Sequence, residues 1–241
     1  MNPIAQKFLL LTFQPWCVAM FVMIAASARR KDPKQKYDDF ITALGFVGFS
    51  IIATFLQDLI LTLVPHTIDA SLLRIDRKLG FDALRLFGFM HWHHSFWAAL
   101  QIPYLWLPVV MAIAWVWEQN YELRRAVLLG GVFCWLLYAA FPAAGPSYLF
   151  TGVADHAPRN CMPSMHLSWA LMLALYSRSW LRTLLWTYAA VIAFATLALG
   201  EHYIIDLIAA VPYTWAISFI SDRVSRSSLS RPYRPEIAAA N

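Results

Sequence analysis

The sequence predicts an all-α, polytopic membrane helical bundle, with about six to seven transmembrane helices and an amphipathic interfacial segment. Its 241 residues are 60% hydrophobic and 14% charged, and the mean hydropathy is +0.53. This composition is typical of multi-pass membrane proteins rather than of soluble domains. Charge-poor stretches long enough to cross a hydrocarbon core of about 30 Å recur along the chain, and most charges fall between them.

Seven stretches are predicted to span the membrane, separated by proline, glycine or basic residues. In chain order they cover about 8–28, 40–64, 96–117, 126–142, 164–177, 180–199 and 203–221. The fifth stretch is short for a crossing of about 20 residues. We therefore expect it to tilt little, to let its flanking arginines snorkel, or to begin below the membrane surface.

We interpret residues 1–241 as a single membrane domain. Residues 1–39 are expected to form an extra N-terminal span and a basic cytoplasmic loop, because the apolar run ends in a basic cluster at 29–31. Residues 65–95 alternate apolar and basic positions, which favours an amphipathic helix or helix pair at the membrane surface. Residues 126–221 contain the motifs described below and are expected to form the catalytic core.

The basic residues indicate the orientation of the chain. Of the nineteen lysines and arginines, thirteen fall on the side of the C-terminus in this seven-span topology and six on the other side. The positive-inside rule then places the C-terminus in the cytoplasm. No single basic face collects the net charge of +5, which argues against nucleic acid as a partner. We expect a multi-pass protein of the cell (inner) membrane, with membrane lipids as partners; the oligomeric state stays open.

Two short motifs contain the candidate site: PSMH, Pro163 to His166, and HYIID, His202 to Asp206. The two histidines are 36 residues apart. At about 1.5 Å per helical residue this distance approaches two crossings of the bilayer, so both should reach the same face. The topology makes that face the outer (periplasmic or luminal) one. Ionisable groups near lipid are unfavourable, so their convergence indicates a reaction site.

The pairing of His202 with Asp206 indicates nucleophilic catalysis. On a helix that begins near Gly200, residues four apart share a face, so the carboxylate is expected to hold one imidazole nitrogen. The other nitrogen is then free to attack. The alternative is that the two side chains simply satisfy one another as a buried polar pair.

The PSMH motif indicates an anion site beside that nucleophile. Ser164 is a good N-cap, and unpaired N–H groups at a helix start favour a phosphate. His202 would attack phosphorus while His166 protonates the departing oxygen, a reaction that needs no metal or other cofactor. Arg159 and the Ser164 hydroxyl are the candidates for binding the substrate phosphate. Ordinary helix capping and an interfacial arginine are the structural alternatives.

Other features leave alternatives open. His91, His93 and His94 allow a histidine-rich metal or haem oxidoreductase, although their spacing is not repeated elsewhere. A non-enzymatic transporter is a further alternative. Four basic residues of the interfacial segment suit either an anionic head group or lipid anchoring: Arg74, Arg77, Lys78 and Arg85. The three cysteines provide no C-x-x-C metal site or disulfide framework, and we assign no role to Cys161 or Glu201.

At these motifs the chain resembles the type 2 phosphatidic acid phosphatase superfamily, over about Phe141 to Val211. PSMH is similar to the family's PSGH motif, and HYIID fits the H-x-x-x-D core of its third motif. The resemblance implies that His202 forms a phosphoenzyme, that Asp206 orients it, and that His166 is the acid for the leaving group.

Two positions depart from the usual family pattern. The third motif usually begins with Ser-Arg, whereas Ala195 and Thr196 occupy those positions here. The segment FPAAGPSY, Phe141 to Tyr148, is more similar to the Pro-rich segment of the inositol phosphorylceramide synthase branch. The resemblance implies a metal-independent lipid phosphatase or head-group phosphotransferase. Its substrate would be a lipid phosphate or a phospholipid.

Overall fold

A computed structural model describes the backbone of residues 3–229 and the side chains of residues 15–224 other than 155 and 179. Within that range the chain forms α-helices and no β-strand, so the all-α prediction is confirmed. The predicted cytoplasmic position of the C-terminus concerns residues outside the described range. The helices are α1 Pro3–Arg29, α2 Pro33–Leu63, α3 Asp69–Lys78, α4 Ala83–Trp92, α5 His94–Leu105, α6 Leu107–Glu118, α7 Tyr121–Ala140, α8 Pro146–Thr151, α9 Met165–Tyr176, α10 Ser179–Ala198 and α11 Ile204–Leu229.

Several of these helices are compatible with a multi-pass membrane protein. Four are long and apolar enough to cross a membrane, namely α2, α7 and most of α10 and α11. Helices α5 and α6 together make a fifth. Two shorter apolar helices, Pro15–Arg29 and α9, occupy the remaining predicted spans. The expected total of six to seven spans depends on these two and stays a prediction.

The third predicted span is not one straight helix. Helices α5 and α6 meet at Trp106 with a bend of 41°. Pro103 lies inside α5, and Pro108 lies in the first turn of α6. A proline lacks the N–H that would bond to the preceding turn and its ring clashes with the carbonyl there, which breaks the helix. Tyr188 of α10 donates to the carbonyl of Pro103 at 2.7 Å and fixes the broken segment.

The interfacial segment forms the pair α3 and α4, as the amphipathic pattern predicts. Helix α3 buries the face that contains Asp69, Leu72, Leu73 and Asp76. Its basic residues are exposed, and Arg77 pairs with Asp82 at 3.0 Å. Helix α3 contacts α8 and α11, while α4 contacts α8 and α10. The pair therefore packs against the part of the bundle that contains the two motifs.

A layer of polar contacts joins the helices at one end of the bundle. Asp39 of α2 accepts hydrogen bonds from Arg124 of α7 at 2.6 Å and from Arg30 at 3.2 Å. Arg30 also donates to the carbonyl of Val116 in α6 at 3.0 Å. The amide of Asn120 donates to the carbonyl of Tyr176 at the end of α9. The helix ends that the sequence analysis places on the cytoplasmic side therefore lie together at one end of the bundle.

Backbone hydrogen bonds between loops close the opposite end. Ile68 donates to the carbonyl of Pro142 at 2.8 Å, Cys161 to that of Ala143 at 3.1 Å, and Ser147 to that of Gly200 at 2.8 Å. These bonds connect the loops that follow α2, α7 and α10 and the loop that precedes α9. Both motifs lie at this end.

Replacing Asp39 by Ala is expected to destabilise the bundle, because it leaves Arg124 nearly buried without its carboxylate. Removing one partner of a buried ion pair costs about 3–5 kcal/mol. Thermal unfolding of the purified protein in detergent should therefore show a melting temperature lower by roughly 5 °C or more. The matched control is Asp38→Ala, which removes only a surface bond from Tyr121. Equal melting temperatures for the two variants would contradict the prediction.

Candidate active site

The order of the last three long helices brings the two histidines together. Helix α10 reverses the chain between α9 and α11, so both of these helices begin at the same end of the bundle. The backbone N–H of Ser164, just before α9, donates to the carbonyl of Asp206 in the first turn of α11 at 3.3 Å. The imidazole rings of His166 and His202 lie with their centroids 6.5 Å apart and their planes at 60°. They therefore border a common space.

His166 is fixed by the start of α9 and by an aromatic ring. Ser164 is the N-cap of α9, and its hydroxyl oxygen accepts from the N–H of Leu167 at 3.4 Å. The ring of Tyr104 stacks on that of His166, with centroids 3.9 Å apart and planes at 19°. Tyr104 reaches this position from α5, just before the break at Trp106.

His202 lies in the turn before α11, whereas the sequence predicted a helix beginning near Gly200. The helix begins at Ile204. The cause is the carboxylate of Asp206, which turns back and accepts the N–H of Tyr203 at 2.7 Å, as an acidic residue in a capping box does. The Nδ1 atom of His202 is 3.6 Å from Oδ2 of Asp206, close enough for a charge pair but long for a hydrogen bond.

The thiol of Cys161 lies beside this pair, although no sequence pattern assigned it a role. Its Sγ donates to Oδ2 of Asp206 at 2.8 Å and lies 3.6 Å from Nδ1 of His202. Burial and the neighbouring Asp206 carboxylate raise the pKa of Cys161 well above its usual value, so the thiol keeps its proton. The Asp206 carboxylate and the Cys161 thiol both lie on the Nδ1 side of His202. The other ring nitrogen, Nε2, is left for a different partner.

Two buried aspartates of α3 support the same loops, and sequence reasoning did not identify them. Asp69 accepts hydrogen bonds from the N–H of Gly145 at 2.8 Å and from the hydroxyl of Tyr203 at 2.9 Å. It also accepts from the N–H of Ala144 at 3.0 Å. A buried carboxylate needs such donors. Asp69 thereby ties the FPAAGPSY segment to the residue after His202.

Asp76, a residue of helix α3, caps the N-terminus of α11. Its two carboxylate oxygens accept the N–H groups of Ile204 at 2.8 Å and Ile205 at 3.2 Å. Burial raises the pKa of Asp76, while these two donors oppose the rise. The positions of Asp69, Leu72, Leu73 and Asp76 follow the i, i+3, i+4, i+7 spacing of one buried helical face, and this is the signal that the sequence contained.

Gly145 allows the FPAAGPSY segment to cross the turn before His202. Its φ is +111°, which favours glycine, and a Cβ atom there would lie 2.7 Å from the carbonyl oxygen of Glu201. The turn at Gly200 also has a positive φ, +72°. The segment therefore packs directly on the backbone that precedes His202.

Arg159 is placed differently from the other predicted site residues. It is 1% exposed and donates to the carbonyls of Pro65 and Ala157, each at 2.7 Å, and of Ala154 at 2.5 Å. A longer bond of 3.4 Å reaches the carbonyl of Val64. These bonds tie the loop after α2 to the loop before PSMH, as a structural arginine does. Contact of Arg159 with a phosphate stays a prediction.

The first turn of α9 offers free donors to an anion. Within the described residues, the N–H groups of Met165 and His166 have no hydrogen-bond acceptor. By contrast, Asp76 occupies the equivalent N–H groups of α11. Unpaired N–H groups and the helix dipole favour a negative group, so α9 is the helix start at which a phosphate fits.

The histidines of α4 and α5 do not form a metal-ligating group among the described side chains. The rings of His91 and His94 meet edge to face with centroids 5.8 Å apart. His93 pairs through Nδ1 with the carbonyl of Phe89 at 2.7 Å. Nothing in this geometry favours the metal or haem oxidoreductase alternative.

Replacing Asp76 by Ala is expected to loosen the start of α11, because two backbone N–H groups lose their acceptor. Loss of a cap costs about 0.5–2 kcal/mol. Hydrogen exchange followed by mass spectrometry should show faster exchange in peptides that contain Ile204 and Ile205. The matched control is Asp58→Ala, an exposed aspartate of α2. Exchange at the start of α11 that matches the wild type would contradict this role of Asp76.

Comparison with known proteins is consistent with this geometry. No curated protein and no solved structure matches the chain. A family model described as the PAP2 superfamily matches residues 70–220, a range that includes both motifs and all of helix α3 except its first residue, Asp69. This match supports a phosphatase-like enzyme that performs phosphoryl transfer on lipid-like substrates. The chain belongs to the PAP2 superfamily.

Proposed function

We propose that this protein is an integral-membrane phosphoryl-transfer enzyme that acts on a lipid phosphate or a phospholipid head group through a phosphohistidine intermediate. The outcome is either a lipid phosphatase or a head-group phosphotransferase. The main support is the placement of His166 and His202, whose ring centroids are 6.5 Å apart at the start of α9 and beside the start of α11. In this proposal, one phosphate ester binds in contact with both rings.

In the first step, Nε2 of His202 attacks phosphorus, and an N–P bond forms as the P–O bond to the leaving group breaks. His166 gives its proton to the departing oxygen. Asp206, 3.6 Å from Nδ1, stabilises the positive charge that develops on His202. The N–H groups of Met165 and His166 and the hydroxyl of Ser164 hold the phosphate oxygens. Arg159 contributes to this site by fixing the adjoining loop.

In the second step, a hydroxyl group attacks the phosphohistidine. His166, now neutral, removes the proton of the attacking oxygen, and the N–P bond breaks to return free His202. Water as acceptor releases phosphate, whereas a lipid hydroxyl gives a transferred head group. The same residues serve both outcomes, and access to water decides between them.

The FPAAGPSY segment supports placing the chain nearer to the inositol phosphorylceramide synthase branch than to simple lipid phosphatases. Asp69 occupies the N–H groups of Ala144 and Gly145, so this segment positions the turn before His202 and does not hold phosphate through these groups. Thr196, where the third motif usually has arginine, is fully buried and its backbone carbonyl accepts from the N–H of His202 at 3.3 Å. The FPAAGPSY segment and Thr196 therefore both help to hold the backbone around His202.

We further propose that the site lies on the outer face of the cell (inner) membrane and that the C-terminus is cytoplasmic. The polar layer around Asp39 and Arg124 lies at the end opposite to the motifs, as expected for a cytoplasmic boundary. Helix α9 has 12 residues, a rise of about 18 Å, which is shorter than the hydrocarbon core. His166 then lies slightly below the surface, within reach of a lipid phosphate.

His202→Ala is expected to reduce turnover by about 10³-fold or more, because it removes the nucleophile. The protein in detergent with EDTA is supplied with ³²P-labelled phosphatidic acid or with a phospholipid that carries ³²P in its head group. Rapid quenching at alkaline pH should trap an acid-labile phosphoenzyme in the wild type and none in the variant. The control is His156→Ala, an exposed histidine outside the site.

Full activity of His202→Ala, or a phosphoenzyme that is stable to acid, would exclude a phosphohistidine on this residue. Activity that disappears with EDTA and returns with iron or zinc would support a metal-dependent reaction instead. Parallel reactions with and without a lipid alcohol, such as a ceramide, separate hydrolysis from head-group transfer.

His166→Ala is expected to lower turnover of lipid substrates by about 10²–10⁴-fold, the usual contribution of a general acid. With a nitrophenyl phosphate ester, the leaving group departs without protonation, so formation of the phosphoenzyme should be much less impaired. The nitrophenol burst measures this first step by absorbance. An equal loss for lipid and nitrophenyl substrates would show that His166 does not act as the acid.

A further inference from the structure

Three different ligand atoms converge next to the proposed nucleophile. Sγ of Cys161, Nδ1 of His202 and Oδ2 of Asp206 all lie within 4.8 Å of one another, and all three residues are buried. The individual separations are 3.6 Å for Sγ to Nδ1, 3.6 Å for Nδ1 to Oδ2 and 2.8 Å for Sγ to Oδ2. Thiolate, imidazole and carboxylate are the three side-chain types that bind Zn²⁺.

These separations fit a tetrahedral ion with only a small adjustment. With a Zn–S distance of about 2.3 Å and Zn–N and Zn–O distances of about 2.0–2.2 Å, neighbouring ligand atoms are about 3.3–3.6 Å apart. The two distances from Nδ1 already agree with this range. The Sγ to Oδ2 distance is shorter because the thiol proton joins these atoms, and it would lengthen once that proton is released.

The surroundings also favour a cation. The buried carboxylate of Asp206 lies against the thiol, with Oδ2 2.8 Å from Sγ of Cys161. Oδ1 of Asp206 is buried and has no hydrogen-bond partner within the described residues. A buried carboxylate oxygen without a hydrogen-bond donor is energetically unfavourable. A cation bound beside the carboxylate would reduce that free-energy cost.

We propose that Cys161, His202 and Asp206 form an inhibitory site for a thiophilic divalent cation such as Zn²⁺. On binding, the Cys161 thiol loses its proton to water and a metal–sulfur bond forms. The ion takes Nδ1 of His202 and Oδ2 of Asp206, the atoms that otherwise orient and stabilise the nucleophile. Because it takes the Asp206 oxygen that stabilises the imidazolium, its presence stops phosphoryl transfer. The inhibition rests on the proposed function, whereas the binding does not.

Direct binding is tested in a Cys17→Ser/Cys134→Ser background, in which Cys161 is the remaining cysteine. Co²⁺ is added to this protein in detergent as a spectroscopic substitute for Zn²⁺. The expected result is a sulfur-to-cobalt charge-transfer band in the near ultraviolet that saturates at one ion per chain and is lost when Zn²⁺ is added. The same titration after Cys161→Ser should show no such band. Absence of the band in the background protein overturns the proposal, and this outcome does not depend on catalytic activity or on folding of the Cys161 variant.

Inhibition is tested by titrating Zn²⁺ against turnover of a lipid phosphate. The expected result is inhibition that EDTA reverses, with a half-inhibitory concentration raised about 10-fold or more by Cys161→Ser relative to the variant's own zinc-free activity. Cys134→Ser, a buried cysteine of α7, is the matched control and should respond as the wild type. Equal sensitivity of the Cys161→Ser and Cys134→Ser variants overturns inhibition through this site. Absence of turnover without zinc would instead contradict the proposed function.

Discussion

The site depends on one physical constraint, that a carboxylate buried in an apolar bundle must accept hydrogen bonds. Asp69, Asp76 and Asp206 are each 0% exposed, and each accepts backbone N–H groups of loop or helix-end residues. The donors of these bonds lie in the HYIID motif or in the FPAAGPSY segment that packs against it. The hydrogen bonds of three buried carboxylates therefore hold the loop that contains His202.

This constraint gives helix α3 a structural role in the site. Its outer face presents arginines and a lysine, while its inner face supplies two of the three buried carboxylates. A movement of α3 relative to the bundle would disturb both the cap of α11 and the FPAAGPSY segment. Helix α3 and the start of α11 therefore behave as one unit, which makes the surface segment part of the architecture of the site.

Much of this arrangement follows from the sequence, because hydrophobic length and periodicity are local properties. The helical class, the interfacial pair and the convergence of His166 with His202 could be predicted from such patterns and from a separation of two crossings. The bend at Trp106 was missed because the apolar stretch from 96 to 117 is continuous in composition, although Pro103 and Pro108 are visible in it.

The parts of the site that the sequence did not predict depend on contacts between residues far apart in the chain. Tyr203 and Asp69 are 134 residues apart, and Ile204 and Asp76 are 128 residues apart. No local pattern pairs them. Cys161 lies five residues before His166, but only the fold turns its thiol toward Asp206. Arg159 lies close to PSMH in the sequence, and this position predicts phosphate binding. The hydrogen bonds described for it go to backbone carbonyls, and its contact with a phosphate stays a prediction.

The central claim is that both imidazoles act on one phosphate. A structure determined with bound orthovanadate, which mimics phosphorus at the moment of transfer, tests this claim most directly. We expect vanadium to bond to Nε2 of His202, with His166 hydrogen-bonded to the oxygen on the opposite side and the N–H groups at the start of α9 donating to the equatorial oxygens. Vanadate bound elsewhere, or held at His202 with His166 turned away from it, would contradict the account.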